Sequence, residues 1–453
     1  MTSRLVAVVF AAALGSLGFA GCGGDGSATH LAAIPAASKV APAPGKGAVR
    51  RTQSLPTCSS AGTDSFVGIA NQNVAGGVLA VVGGGDYNQA CDGETAILGG
   101  FNNAISSGSD TSYDAVITAG SSNSITGSSA FGAIVGGFEN ALSGGGDAFI
   151  GGGSGNQISS SDGVITGGSN NIVSNTYGIV AGGVSNTVSG QYGFIGGGTN
   201  NSVAGEGAFI ASGGYNSASG EGAVIDGGFQ QTASGTFATI PGGYRNSAGG
   251  TYSFAAGAFA SAAKEGSFVW SDGSNGDTAL TSSQAYQFLA RAAGGFTLYT
   301  NAAATVGAQL APGSGAWASL SDRDAKTDIV PLDDAAVLEK VAALPISRWS
   351  YRTERGVRHI GPMAQDFYSA FAVGEDDRHI TSIDEDGVAL AAIQALRREN
   401  QALHARLGAQ SAQIAAMQAQ IRSLTAAVAT IRAARTAVAM PEHGSTFPRR
   451  RLY

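Results

Sequence analysis

Charge is what this sequence has least of. Only 13% of its 453 residues are Asp, Glu, Lys or Arg, about half the share of an ordinary globular domain. Basic residues all but vanish from the middle of the chain. Between Gly62 and Ala263 stand twelve acidic side chains and a single basic one, Arg245. With a net charge of −7, this distribution argues against nucleic acid as a partner and disfavours docking on anionic surfaces. Five histidines and three cysteines form no CxxC, HExxH or clustered Cys/His pattern, so neither a metal site nor a cofactor is expected. Residues 62–263 also lack any 3.6-residue hydrophobic period, which excludes a helical array. What is abundant is glycine. Its 70 residues are roughly double the usual share, which points to a fold of turns and stacking rather than one built on large side chains.

The apolar run Leu5 to Phe19, behind Arg4, is too short for a comfortable membrane span and ends in small residues, as an export signal does. Leu17-Gly18-Phe19-Ala20-Gly21-Cys22 resembles the bacterial lipobox. That resemblance implies lipidation of Cys22 and, because Gly23 is not aspartate, sorting to the outer membrane and cell surface. Plain secretion with cleavage near Ala20 is the alternative. The Ala/Pro/Gly/Ser-rich stretch that follows shows no hydrophobic period and reads as a flexible tether. In an oxidising compartment Cys58 and Cys91 are free to bridge; the sequence alone leaves a disulfide and two thiols equally open.

The strongest signal is self-similarity. A Gly-Gly pair followed three residues later by Asn recurs through Asn88, Asn103, Asn140 and Asn156, then every fifteen residues to Asn246, with Gln231 in one place. An apolar residue, nearly always Ile, precedes the glycines, and a small residue stands two before it, as in Ala148 and Ile150 or Ala208 and Ile210. Such a unit, with two short β-like pieces and Gly turns, is a solenoid coil. One Ile per coil would point inward and the asparagines would form a ladder, each amide bonding those above and below. About twelve coils at about 4.8 Å each make a rod on the order of 60 Å. One Ile per coil is a thin core for a lone chain, so an oligomer is favoured. The units resemble the head repeats of trimeric autotransporter adhesins, although the period is fifteen here and usually fourteen there. That likeness implies a trimer of parallel β-rolls.

From Phe268 the period dissolves into short alternating strands around Gly-Gly, read as a β-neck. The sequence then changes character at Ser319-Leu320-Ser321-Asp322-Arg323-Asp324-Ala325-Lys326. A serine five residues from one of only five lysines is a minimal nucleophile–base pair if the lysine becomes neutral. Beyond it, Asp333 should cap a helix stopped at Pro345, Ile346 to Arg352 should be a strand, and Pro362 should open a short helix. His379 to Ile383 reads as a strand and Asp384 to Gly387 as a turn.

Ser-Asp-Arg-x-x-Lys-x-Asp-Ile, a helix ending in Leu-Pro, a Tyr-bearing strand and His359-Ile360-Gly361-Pro362-x-Ala364-Gln365-Asp366-Phe367 together resemble the intramolecular chaperone of endosialidase (peptidase S74). Arg323 stands two residues after the serine, one closer than in many members. The resemblance implies a domain that drives trimerisation of a β-fibre and then cuts itself off. It places the nucleophile at Ser321 and its lysine partner at Lys326; the backbone carbonyl attacked lies in the same stretch, and Leu320–Ser321 is taken as the scissile bond. Burial in a trimer interface would favour the neutral amine, so cleavage would wait for assembly. The activity the resemblance implies is that of a single-turnover serine autoprotease rather than of an enzyme acting on other substrates. His359 is read as a packing residue. Ile393, Leu396, Asn400, Leu403, Leu407, Gln410, Ile414, Met417, Ile421, Leu424, Val428 and Ile431 continue in steps of three and four, a coiled-coil seam compatible with a trimer.

The expected fold is therefore mainly β: a parallel β-solenoid (β-roll) fibre with a C-terminal α+β chaperone domain and a long coiled-coil helix. Residues 1–22 are the lipoprotein signal, 23–61 the tether, 62–263 the solenoid, 264–320 the neck, 321–388 the chaperone, 389–433 the coiled coil and 434–453 a disordered basic tail. The expected function is a homotrimeric surface fibre, an adhesin or structural element, held to the membrane through Cys22 and binding a surface glycan or protein. The alternative is a phage-derived tail-fibre-like receptor- or glycan-binding protein without active autoproteolysis.

Overall fold

The computed structural model describes residues 58, 61–68, 71–107 and 113–438, all within one compact unit. The signal segment with Cys22, residues 23–57 of the tether and the tail from 439 lie outside the described residues.

From Phe66 the chain winds into a parallel β-solenoid of about 13 turns. Two-residue strands alternate between two sheets, one linking 15 successive strands from Phe66–Val67 to Phe288–Arg291, the other 14 from Val74–Ala75 to Leu280–Thr281. The ladder steps by fifteen residues, as in Val164↔Ile179↔Phe194↔Phe209. Wider steps occur at Ala96↔Val116, Val116↔Ala133, Ala133↔Phe149 and Phe268↔Phe288. Parallel pairing outlasts the repeat motif: Phe254–Ala258 pairs with Phe268–Asp272, and that strand with Phe288–Arg291. An antiparallel three-stranded sheet follows, made of Phe296–Tyr299, Gly307–Leu310 and Trp317–Ser319.

The core is thicker than one Ile per coil. Ile150, Ile165, Val180 and Ile195 of the first sheet are fully buried, and so are Ile158, Val173, Val188 and Val203 of the second. The stretch after each Asn is the second strand, and its alternation turns this further apolar residue inward. Space between the two columns explains the small residue two before each Ile. A Cβ on Gly193 would lie 2.7 Å from Val203 Cγ1 and 2.8 Å from Val188 Cγ1, where real side chains do not go.

The asparagines form the expected ladder, bonding chiefly through the backbone. Asn186 Oδ1 accepts the Asn201 N–H at 3.0 Å, while Asn186 Nδ2 donates to the Gly182 and Gly198 carbonyls, each at 3.0 Å. Side-chain amides also pair directly along part of it, as Asn186 Nδ2 does with Asn171 Oδ1 at 3.1 Å. Close approach of each amide to the chain needs the second glycine of the pair. Gly183 sits at φ 93°, and a Cβ there would meet Asn186 Nδ2 at 2.6 Å. Gln231 is the exception that tests this arrangement. Its Oε1 accepts the Asn246 N–H at 2.8 Å, but its Nε2 is buried without a partner. An unsatisfied buried donor costs about 1–3 kcal/mol. Gln231→Asn, with a side chain short enough to reach the flanking carbonyls, should therefore raise solenoid stability by about 1–2 kcal/mol; urea unfolding followed by circular dichroism will read the shift.

Cys58 and Cys91 are joined in a disulfide with a Cα–Cα distance of 5.5 Å, which ties the chain ahead of the first coil to the second sheet's side of the stack. At the other end, Asp272 closes the solenoid. Its carboxylate accepts the Ala293 N–H at 2.6 Å and the Ser274 N–H and hydroxyl at 3.0 and 2.7 Å, beside Arg291 at 3.5 Å. These bonds, the Ala293 amide foremost, lower its pKa to about 2. A carboxyl depressed in the folded state stabilises fully above its ordinary value near 3.8 and loses that contribution as pH falls through about 2. The junction at residues 272–293 should accordingly loosen between about pH 4 and pH 2, and Asp272→Asn should remove this acid dependence. Amide hydrogen exchange at Ala293 is the readout.

Candidate processing site and assembly surface

The strand Trp317–Ser319 ends at the edge of the neck sheet, and the Leu320 N–H still donates to the Gly307 carbonyl at 3.3 Å. The next residue, Ser321, leaves the sheet. Asp322 then caps a single 3₁₀ turn, Arg323–Ala325, by accepting the Asp324 N–H at 3.0 Å. This tight turn folds the chain back so that Lys326, in extended backbone after it, reaches the serine. Lys326 Nζ donates to Ser321 Oγ at 2.7 Å. The pair picked out by spacing is thus in direct contact, and in one chain both residues are exposed, as is Leu320. In chemical terms this is a hydroxyl beside an amine, capable of proton exchange once the amine is neutral.

Helix α1 (Asp334–Ala343) begins where expected, with Asp333 accepting the Ala336 N–H at 3.2 Å. Strands Ser347–Trp349 and His359–Gly361 pair antiparallel, and α2 (Ala364–Phe371) follows Met363. His359 stacks on Trp349, with ring centroids 4.7 Å apart, and its Nε2 meets Glu354 Oε2 at 3.1 Å. That carboxylate partner was not foreseen; Glu354 lies in the loop between the two strands, where sequence spacing carries no signal. Asp376 is held below the usual carboxylate range by the Arg378 N–H at 2.9 Å and then by His379.

The last helix, α3 (Ser382–Val438), starts earlier and ends later than expected. Thr381 Oγ1 accepts the Asp384 N–H at 3.2 Å and donates to Asp384 Oδ2 at 2.7 Å. This cap draws Ile383 through Gly387, expected as strand and turn, into the first helical turns. Residues 434–438, assigned to the disordered tail, are helical as well. Arg398 of α3 forms an ion pair with Asp334 of α1. The seam residues of α3, from Ile393 to Ile431, are exposed in the single chain. Among the described residues no helix is long and apolar enough to cross a membrane.

The architecture is thus a β-solenoid that passes through a small antiparallel sheet into a unit of short helices, a two-stranded sheet and a long C-terminal helix. Residues 321–373 match the family described as chaperone of endosialidase, peptidase S74, so the chain carries that domain immediately after its neck. No curated protein matches the chain. Chaperone domains of this family are associated with trimerisation, and their combination with a β-solenoid fits a phage tail-fibre-like trimeric protein.

Proposed function

We propose that this protein is a homotrimeric surface fibre whose chaperone domain assembles three chains and then releases itself by cutting Leu320–Ser321. The observation that carries the reading is how little of the C-terminal part is buried by one chain. Between residues 320 and 438 only Val337, Phe367, Ala392 and Ala395 are buried. Ile329, Val330, Leu332, Ile346, Tyr351 and Ile360 are 58–79% exposed, and the whole α3 seam is open. A monomer would leave this apolar surface in water. Three copies would join their seams as a coiled coil and cover the rest.

Burial supplied by the neighbouring chains favours the neutral form of a lysine. Lys326 then takes the Ser321 hydroxyl proton while Oγ attacks the Leu320 carbonyl carbon. The Leu320–Ser321 C–N bond breaks, the lysine returns its proton to the departing amine, and water hydrolyses the resulting ester to leave a Leu320 carboxylate. The match to the chaperone family begins at Ser321, which supports this boundary between fibre and released fragment. Export by the Leu5–Phe19 segment and anchoring through a lipidated Cys22 complete the proposal, placing the fibre on the outer surface as an adhesin or structural element. Intact-mass measurement tests it: a fragment beginning at Ser321 is expected from the assembled chain.

A further inference from the structure

From Thr187 onward the two sheets of the solenoid present chemically different outer faces. On the second sheet the outward ladder from Thr187 onward runs through Ser202, Ser217, Thr232, Ser247 and Ser261, hydroxyl after hydroxyl. On the first sheet the corresponding ladder, from Phe66 to Phe288, contains Ala, Val, Ile and Phe with the single exception of Thr239. Phe149, Val164, Ile179, Phe194, Phe209 and Val224 follow one another on consecutive coils. Their neighbours at the start of the next column are mostly Gly, Ala or Thr, as at Gly151, Thr166, Ala181 and Gly196, so the stripe stands proud of a flat border. Phe194 and Phe209 stack at 5.2 Å, Phe254 and Phe268 at 4.6 Å, and Phe268 and Phe288 at 4.7 Å. The stripe carries no charged residue, and in the repeat array Asp226 alone borders it on that outward column.

We infer that this apolar face of the first sheet is where the solenoids of three chains pack against one another, parallel and in register, with the hydroxyl face turned to solvent. The inference rests on the trimer reading above and assigns its contact surface in the fibre itself. Three observations select a copy of the same chain as the occupant. A ladder repeating at strand spacing over about 13 turns is matched along its length by a surface with the same repeat. Acidic side chains elsewhere on the array repel an identical copy, so the uncharged face is the one through which copies can approach. The stripe is about 60 Å long and about 10 Å wide, on the order of 600 Å² per chain shared between two neighbours, an area that adds to the contact of the C-terminal parts rather than replacing it.

Cross-linking of the full chain tests this. Around a threefold axis, equivalent residues of the inner face come together and those of the outer face are held apart. Phe194→Cys and Thr187→Cys place a thiol on the first and second sheets of neighbouring strands, and the parent chain, with its own cysteines, sets the background. With a short bis-maleimide, Phe194→Cys should give covalent dimers on a denaturing gel, one new thiol per chain joining two of the three chains, and Thr187→Cys no more than the parent. Linking at Thr187→Cys alone, or at neither position while sedimentation equilibrium shows a trimer, would overturn the face assignment and leave the trimer standing. A monomeric parent chain would overturn both.

Discussion

Ser321→Ala should leave the chain at full mass under conditions in which the parent releases a fragment starting at Ser321. The side chain that would form the acyl bond is gone, and with it the path that avoids direct attack of water on an amide. Losing a nucleophile of this kind lowers rates by about 10³-fold or more, which for a single self-cleavage means no product on the time scale of assembly. Lys326→Met should do the same by removing the base in contact at 2.7 Å. Lys326→Arg should not rescue, because a guanidinium does not give up its proton in a protein. Both inactive variants should still sediment as trimers. A fragment beginning at position 321 in Ser321→Ala would show that another group cuts this bond.

The contact between Ser321 and Lys326 was legible in the sequence because the element between them is short and self-capping: Asp322 fixes one 3₁₀ turn, so five residues of separation leave little freedom. Solenoid geometry was legible for a similar reason, as each coil repeats the same local bonds and Asn186 finds in Gly182 and Gly198 what Asn171 finds in Gly167 and Gly183. The second inward column was harder to see. Ile158 and Val203 occupy the place of Ala218 and Ala233 in other coils, so that column varies more in size than the Ile column, whose main departure in the array is Val180. The start of α3 was missed because His379 to Ile383 has the β-branched pattern of a strand, while one Thr381–Asp384 cap decides in favour of helix. The apolar stripe went unread too. Its residues directly precede each inward Ile, and a Phe-Ile or Val-Ile pair looks like one buried run until the strand's alternation assigns the two side chains to opposite faces.

Ile414→Asp in the α3 seam should prevent assembly. Ile414 is half exposed in one chain and lies midway along a helix of 57 residues. Burying an Ile contributes about 1.5–3 kcal/mol, and a layer of the proposed trimer would contain three of them, so the substitution would remove on the order of 5–9 kcal/mol before charge is considered. It also sets three carboxylates around one axis, where like charges within a few ångströms disfavour ionisation and association together. At 1.4 kcal/mol per tenfold change, the association constant should fall by at least about 10³. Sedimentation equilibrium at micromolar concentration should then show monomer where the parent shows trimer. Because the proposed cleavage waits for three chains to bury the Ser321–Lys326 pair, Ile414→Asp should also stop processing although it is distant in sequence from the scissile bond. Ala419→Asp introduces the same charge on the side of the helix away from the seam and should do neither. Cleavage continuing in a monomeric Ile414→Asp chain would separate the chemistry from assembly and make the dyad active in a single chain.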